Sequence, residues 1–265
     1  METSVLAPAK INLTLHVTGR RSDGYHRLDS LVAFADIGDR LTVTPGDVLT
    51  VKGPFAPGVP TDDTNLIRRA LDLAGLSRQV VLDKTLPHPA GIGGGSSDAA
   101  AALRACDASL STGQLLSLGA DLPVCLLGRA ARMRGVGEIV EPVRLPPVHA
   151  VLVNPGIGVP TGQVFAGLSS PDNPGHPSDL PVWHDSDGLI RWVGAQRNDL
   201  EASARAIAPV IETVLASLVA VGAPVARMSG SGATCYGLWP SRAEAERAAA
   251  KITQPGWWVH ACTLS

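Results

Sequence analysis

Between an apolar run, Gln79-Val80-Val81-Leu82-Asp83, and an alanine-rich stretch from Ala99 to Ala105 lies the segment Pro87-His88-Pro89-Ala90-Gly91-Ile92-Gly93-Gly94-Gly95-Ser96-Ser97-Asp98. Four glycines in the five positions 91–95 remove the Cβ atoms that would hold a polyanion away from the backbone. Ser96 and Ser97 place hydroxyl donors where a helix begins. The unpaired N–H groups of that first turn, with the positive end of the helix dipole, would face phosphates. A flexible linker has a similar composition, but a linker does not usually separate a strand from an abruptly starting helix former. Strand, glycine-rich turn and helix in this order form a recurrent nucleotide-binding device. The run lacks a Gly-Lys-Ser/Thr ending, so a catalytic lysine has to come from elsewhere in the chain.

The chain has 265 residues, 45% of them hydrophobic, which is enough for one large domain or two ordinary ones with a real core. A net charge of -2 supplies no basic field, so nucleic acid is not an expected partner. The N-terminus has neither the basic start nor the apolar core of a signal peptide, and no run of about 18 apolar residues offers a membrane span. A cytoplasmic protein is expected. Cys106, Cys125, Cys235 and Cys262 are widely spaced in apolar surroundings and read as buried reduced thiols, and the histidines show no metal-ligand spacing.

From Lys10 to Val17 the pattern alternates, with Ile11, Leu13, Leu15 and Val17 on one face and Lys10, Asn12, Thr14 and His16 on an available polar face. Leu28 to Phe34 predicts a second strand. The runs 40–43 and 48–51, joined through Pro45-Gly46-Asp47, predict a hairpin. Asn65 to Ala74 predicts a helix stopped by Gly75. Strands follow at 130–134 and 138–143, and Pro146-Pro147 marks a domain boundary, giving domains 1–146 and 147–265. The second half predicts strands at 149–153, 225–228, 234–239 and 257–263, helices at 209–221 and 243–252, and an exposed loop at 169–181. Helices alternating with such strands predict an α+β fold in two layers.

Four further places carry chemistry. Met228-Ser229-Gly230-Ser231-Gly232-Ala233 reads as a tight hairpin turn, or as a second set of backbone donors for the same anion. Asp121 is a helix N-cap or an acceptor for a substrate hydroxyl proton. Lys10 belongs to a solvated strand face, or with Asn12 it neutralises a transferring phosphoryl group. Tyr25-His26 is a loop tip or a stacking face for a nucleobase.

Taken in order, Ala7-Pro8-Ala9-Lys10-Ile11-Asn12-Leu13, Gly24-Tyr25-His26, Ala90 to Ala100, Gly119-Ala120-Asp121-Leu122-Pro123 and Ser229 to Ala233 resemble the successive signatures of the GHMP small-molecule kinases. The resemblance covers nearly the whole chain. It implies an N-terminal domain like ribosomal protein S5 domain 2, a ferredoxin-like C-terminal domain, and a cleft between them for ATP and an alcohol. Its most specific part, Pro-Ala-Lys-Ile-Asn-Leu with Asp-Gly-Tyr-His, implies a small-molecule substrate carrying a cytidine diphosphate group. That substrate would be phosphorylated on the 2-hydroxyl of a methylerythritol moiety, on the way to isoprenoid precursors.

By the same resemblance Lys10 and Asp121 form the catalytic pair. ATP is held by Asn65, by the loop Pro87, His88, Pro89, Ala90, Gly91, Ile92, Gly93, Gly94, Gly95, Ser96 and Ser97, and by Ser229, Gly230, Ser231 and Gly232. Asn12, Tyr25, His26, Thr161 and Phe165 lie near the substrate, Ser97 lies nearest Mg2+, and the enzyme is a monomer or weak homodimer. A GHMP kinase for a mevalonate- or homoserine-type alcohol, and a nucleotide-binding regulator without catalysis, stay open beside this reading. The connection from Cys106 to Gly119 is shorter than the family's usual helical insertion, Ile92 replaces leucine, and His88-Pro89 is an uncommon entry to the loop.

Overall fold

The computed structural model describes residues 2–265. The N-terminal half runs β1 (Thr3–Asn12), β2 (His16–Arg20), β3 (His26–Pro45), β4 (Leu49–Lys52), α1 (Leu66–Leu73), β5 (Arg78–Asp83), α2 (Gly94–Ala105), α3 (Thr112–Leu118), α4 (Leu122–Leu127), β6 (Ala131–Gly135) and β7 (Ile139–Pro142). The rest runs β8 (Val148–Asn154), α5 (Thr161–Ala166), α6 (Ser186–Gly194), α7 (Glu201–Ile207), α8 (Val210–Ala220), β9 (Val225–Met228), β10 (Cys235–Trp239), α9 (Arg242–Ala249) and β11 (Trp258–Leu264). The strand order β4-β5-β3-β11-β8-β10-β9 joins the two halves through β3 and β11, and β4 with β5 is the parallel pair.

The long β3 replaces the separate strands expected at 28–34 and 40–43. Gly38 looks like a breaker but lies inside the strand, because the β1 backbone comes so close that a Cβ there would sit 2.2 Å from the Ala7 carbonyl oxygen. The expected hairpin is also corrected. β4 does not pair with β3; β5 lies between them, antiparallel to β3 and parallel to β4. The chain leaves β4, crosses over α1 and returns as β5, and a parallel pair requires such a crossover. Its helix starts as the sequence predicts, with Asn65 Oδ1 accepting from Ile67 N at 2.8 Å.

The strand expected over 10–17 is split. β1 begins at Thr3, ends at Asn12, and β2 opens at His16. Its polar face is not available to solvent, since Lys10, Asn12, Thr14 and His16 are all buried. The cover over Thr14 and His16 comes from the segment expected to be an exposed loop. His176 enters the core, its Nε2 lies 2.8 Å from Thr14 Oγ1, and its ring centroid is 4.0 Å from that of His16. Arg132 holds Asp29 through Nε and Nη2 at 2.9 and 2.8 Å and donates from Nη1 to the Ser178 carbonyl, so the segment is fastened to β3 and β6.

In the β11-β8-β10-β9 part of the sheet both faces are covered, which explains the uninterrupted apolar run in β8. Val148, Ala150 and Leu152 join one core with Ile11, Leu13, Leu189 and Tyr236, while Val151 and Val153 join another with Ile211, Val214 and Ala245. Tyr236 Oη donates to the Leu13 carbonyl at 2.6 Å, a bond that ties β10 to the N-terminal segment. Cys125, Cys235 and Cys262 are buried, and burial pushes each thiol up; Cys106 is only half-buried. Among the described residues no single helix is long and apolar enough to cross a membrane.

Candidate active site

The glycine-rich segment bends back over the end of β1. At an irregularity in the β1/β3 register between Pro8 and Lys10, the Lys10 N–H turns to the Ile92 carbonyl, 3.0 Å away. This brings the loop against Lys10: a Cβ on Gly93, whose φ is +63°, would lie 3.2 Å from Lys10 Cβ. Helix α2 starts at Gly94, earlier than the alanine run suggests, so Gly94, Gly95, Ser96 and Ser97 form its first turn. The Ser97 N–H already donates to the Gly93 carbonyl at 2.8 Å, so the N–H groups of Gly94, Gly95 and Ser96 are the ones this helix leaves without intrahelical partners.

The second Gly/Ser cluster is the turn between β9 and β10, and it packs directly on the first. Ser229 Oγ donates to the Gly91 carbonyl at 3.0 Å and accepts from Asn12 N at 3.1 Å, while Thr234 N donates to the Ala90 carbonyl at 3.1 Å. Gly91 has φ +71°, and a Cβ there would lie 2.6 Å from the Ser229 carbonyl oxygen and 2.7 Å from Gly232 N. The cluster is a tight turn, and it brings Gly230, Ser231 and Gly232 to the same cavity as the first loop.

That cavity, about 550 Å³, takes Lys10, Asn12, Asp121 and Ser96 into its wall along with both loops. Asp121 stands at the N-cap position of α4, yet its carboxylate makes no bond to the helix. It turns to Lys10, with Oδ1 2.7 Å from Nζ; the lysine side chain is 3% exposed and the aspartate 29%. Proline at the start of α4 suits a first turn whose N–H groups need no intrahelical partner.

A second cavity of about 860 Å³ adjoins the first, the two sharing Leu28, Ala120, Thr161 and Phe165. Its wall holds Tyr25, 65% exposed, and His26, whose ring stacks on Phe165 with centroids 4.8 Å apart and planes 22° apart. Burial and the Arg20 guanidinium hold His26 below the ordinary imidazole value, so its ring is neutral at pH 7. Thr161 Oγ1 and Ser231 Oγ are hydrogen-bonded at 2.8 Å where the cavities meet.

Four expected site residues are placed elsewhere. Ser97 is fully buried and donates from Oγ to the Pro8 carbonyl at 2.7 Å, so it does not face the glycine-walled cavity; the adjacent Ser96 does. On a helix, consecutive residues point about 100° apart, and the one beneath α2 belongs to the core. Asn65 caps α1 and donates from Nδ2 to the Pro60 carbonyl at 2.7 Å, leaving Leu66 to line the cavity. Ile92 points into the core and Ser229 acts as the bond between the two loops rather than as part of the wall.

Sequence reasoning missed Lys84. It lies beneath the first turn of α2 with Nζ 2.5 Å from Asp39 Oδ2 and 2.7 Å from Asp98 Oδ2. A signal was present: Val80 and Leu82 are the buried residues of β5, and the period of two puts Lys84 on the same inward side.

Family models for the N-terminal domain and the C-terminal domain of GHMP kinases match residues 64–130 and 184–256. Together with the fold and cleft, they define the class as ATP-using small-molecule kinases. A 4-diphosphocytidyl-2-C-methyl-D-erythritol kinase of Paracoccus denitrificans (strain Pd 1222) is 55% identical over 98% of this chain and 96% of its own length. A crystal structure of 4-(cytidine 5'-diphospho)-2C-methyl-D-erythritol kinase, 39% identical, superposes with a TM-score of 0.81 over 100% of this chain and 99% of the other. The homoserine kinase of Cytophaga hutchinsonii ATCC 33406, 17% identical, shares the fold with a TM-score of 0.65 over 98% and 94%. Within the GHMP kinases, the chain belongs to the 4-diphosphocytidyl-2-C-methyl-D-erythritol kinase family.

Proposed function

We propose that this kinase transfers the γ-phosphoryl group of ATP to the 2-hydroxyl of 4-diphosphocytidyl-2-C-methyl-D-erythritol, a step of the non-mevalonate route to isoprenoid precursors. The observation that carries the reading is the junction of two cavities, one walled by glycine-rich backbone and one by an aromatic stack, with Lys10 and Asp121 at the first and Ala120 in both. Phosphates and a flat base need such different walls. A mevalonate- or homoserine-type alcohol has no base for the His26–Phe165 stack to receive.

Phosphoryl transfer depends on in-line placement and on neutralising charge at the equatorial oxygens. The N–H groups of the α2 first turn hold the β- and γ-phosphates, joined by the Ser231 and Gly232 side of the cavity. Lys10 neutralises developing charge and keeps Asp121 oriented as a carboxylate. Asp121 accepts the proton of the 2-hydroxyl, or aligns that hydroxyl for attack. Tyr25, His26 and Phe165 take the cytosine, Thr161 lies where the two cavities meet, and Asn12 lines the glycine-walled one.

Among the described residues no cluster of three or more His, Cys, Asp or Glu would hold a metal alone. A Mg2+ entering with ATP would be held by phosphate oxygens and water, and the Ser96 hydroxyl at the cavity wall would be the protein's oxygen for it. When bound, Mg2+ supplies charge neutralisation across the β- and γ-phosphates. We read the enzyme as two domains, 1–146 and 147–265, since β8, which starts at Val148, is the first strand of the β11-β8-β10-β9 part of the sheet. The same reading has it act in the cytoplasm as a monomer or weak homodimer.

Thermal protection tests the base pocket without turnover. CMP and CDP should raise the melting temperature and compete with the alcohol; absence of either effect would contradict a cytidine-bearing substrate.

A further inference from the structure

Lys84 is 2% exposed, too deep to touch ATP, and nothing in the transfer chemistry requires it. Its surroundings are nonetheless built around the phosphate loop. On one side, Asp39 in β3 accepts Lys84 Nζ through Oδ2 and, through Oδ1, the N–H groups of Thr85 and Leu86 at 2.6 and 2.8 Å. Those residues lead directly into Pro87, so this carboxylate fixes the entry to the loop. On the other side, Asp98 in α2 accepts Nζ at 2.7 Å, fixing the helix at the loop's exit. The ammonium itself lies under the phosphate end: a Cβ on Gly94, the first residue of α2, would be 3.2 Å from it.

We propose that Lys84 is a positioning residue for ATP, holding entry and exit of the phosphate loop in register through Asp39 and Asp98. One cation bonded to two buried carboxylates converts two separate anchors into one, and buried charged hydrogen bonds tolerate little displacement. Asp98 Oδ1 is buried with no partner among the described residues, so its bond to Lys84 is the side chain's one polar tie. Burial, opposed by Lys84, pushes Asp98 up, and asparagine keeps an oxygen of the same reach to accept from Lys84 Nζ.

This inference rests on the proposed function only for its assignment of the loop to ATP. Lys84→Met leaves two carboxylates without a cation and is expected to fold poorly, so the test uses Asp98. Asp98→Ala keeps the Lys84–Asp39 pair and removes the tie to α2; Asp98→Asn keeps an acceptor for Nζ. A non-hydrolysable ATP analogue, titrated calorimetrically, should bind Asp98→Ala about tenfold more weakly than the parent, the loss expected for one charged hydrogen bond. Binding to Asp98→Asn should stay within about twofold, and the affinity of both variants for CDP should be unchanged.

Equal analogue binding by Asp98→Ala and the parent would overturn the inference. So would equal weakening towards the analogue and CDP, which marks a general loss of structure, or failure of Asp98→Asn to restore binding. A parent enzyme that binds CDP but not the analogue would overturn the ATP assignment of the loop and this inference with it.

Discussion

Lys10 Nζ lies 2.7 Å from Asp121 Oδ1, joining the end of β1 to the start of α4 across the floor of the cleft. The carboxylate stands where a helix cap would be, and the lysine draws it away from that task. Replacing Asp121 by asparagine keeps the shape and removes both the ion pair and the proton acceptor. Turnover of Asp121→Asn should fall by ~10²-fold or more, the scale of a positioned acid or base. Analogue binding should remain near that of the parent. Near-normal turnover, measured by ADP release under saturating substrates, would remove Asp121 from the chemistry.

The His26–Phe165 stack should act on one substrate only. Phe165→Ala removes one ring of this stack, one face of the proposed base pocket, and a base–aromatic contact contributes about 1–3 kcal/mol. KM for the cytidine-bearing alcohol should rise about tenfold or more, with KM for ATP unchanged. A rise for ATP instead would assign the pockets the other way round.

Gly91 has no room for a side chain. A methyl group there meets backbone atoms of Ser229 and Gly232 at a φ of +71°, so Gly91→Ala should destabilise the protein by about 2 kcal/mol or more and weaken ATP binding. Gly113 in α3 is the contrasting case, with nothing within 4 Å of its Cβ position. Gly113→Ala should be neutral or stabilise by up to about 1 kcal/mol. Urea unfolding of the two variants beside the parent separates these outcomes.

His16 should make the protein sensitive to acid. Burial, aided by the neighbouring His176, lowers the ring to about 3 from its ordinary value near 6.5, and neither ring nitrogen has a partner among the described residues. The unfolded chain therefore binds more protons than the native one between these values. Stability contributed by keeping His16 neutral is complete above about pH 6.5 and is lost progressively as pH falls towards 3. In His16→Leu the melting temperature should fall less steeply than in the parent between pH 6.5 and 4. Parallel curves would show that His16 is not responsible.

The glycine-rich loop ahead of α2 and the second-half strands were legible in the sequence because each depends on local pattern, glycines before a helix and alternation within a strand, whereas Lys10 and Asp121 stayed open locally and were paired only by the family resemblance. Where long-range pairing decides, the pattern was insufficient. Runs 40–43 and 48–51 looked like hairpin partners until β5, brought back by α1, took the place between them. Ser96 and Ser97 are equivalent in a linear reading, and only the phase of α2 sends one to the cleft and the other to the Pro8 carbonyl. His176 carried no local sign of burial, since its place is made by Thr14, His16 and Asp29 from distant strands.

In our proposal a cytidine-bearing alcohol is phosphorylated at the junction of the two cavities. Incubation with ATP, Mg2+ and, separately, 4-diphosphocytidyl-2-C-methyl-D-erythritol, mevalonate and homoserine, followed by ADP release and phosphorus NMR of the product, tests it directly. ADP should form with the first alcohol alone, with the new phosphate on its 2-hydroxyl. Turnover of mevalonate or homoserine at a comparable rate, or no turnover of the cytidine-bearing alcohol, would contradict the account.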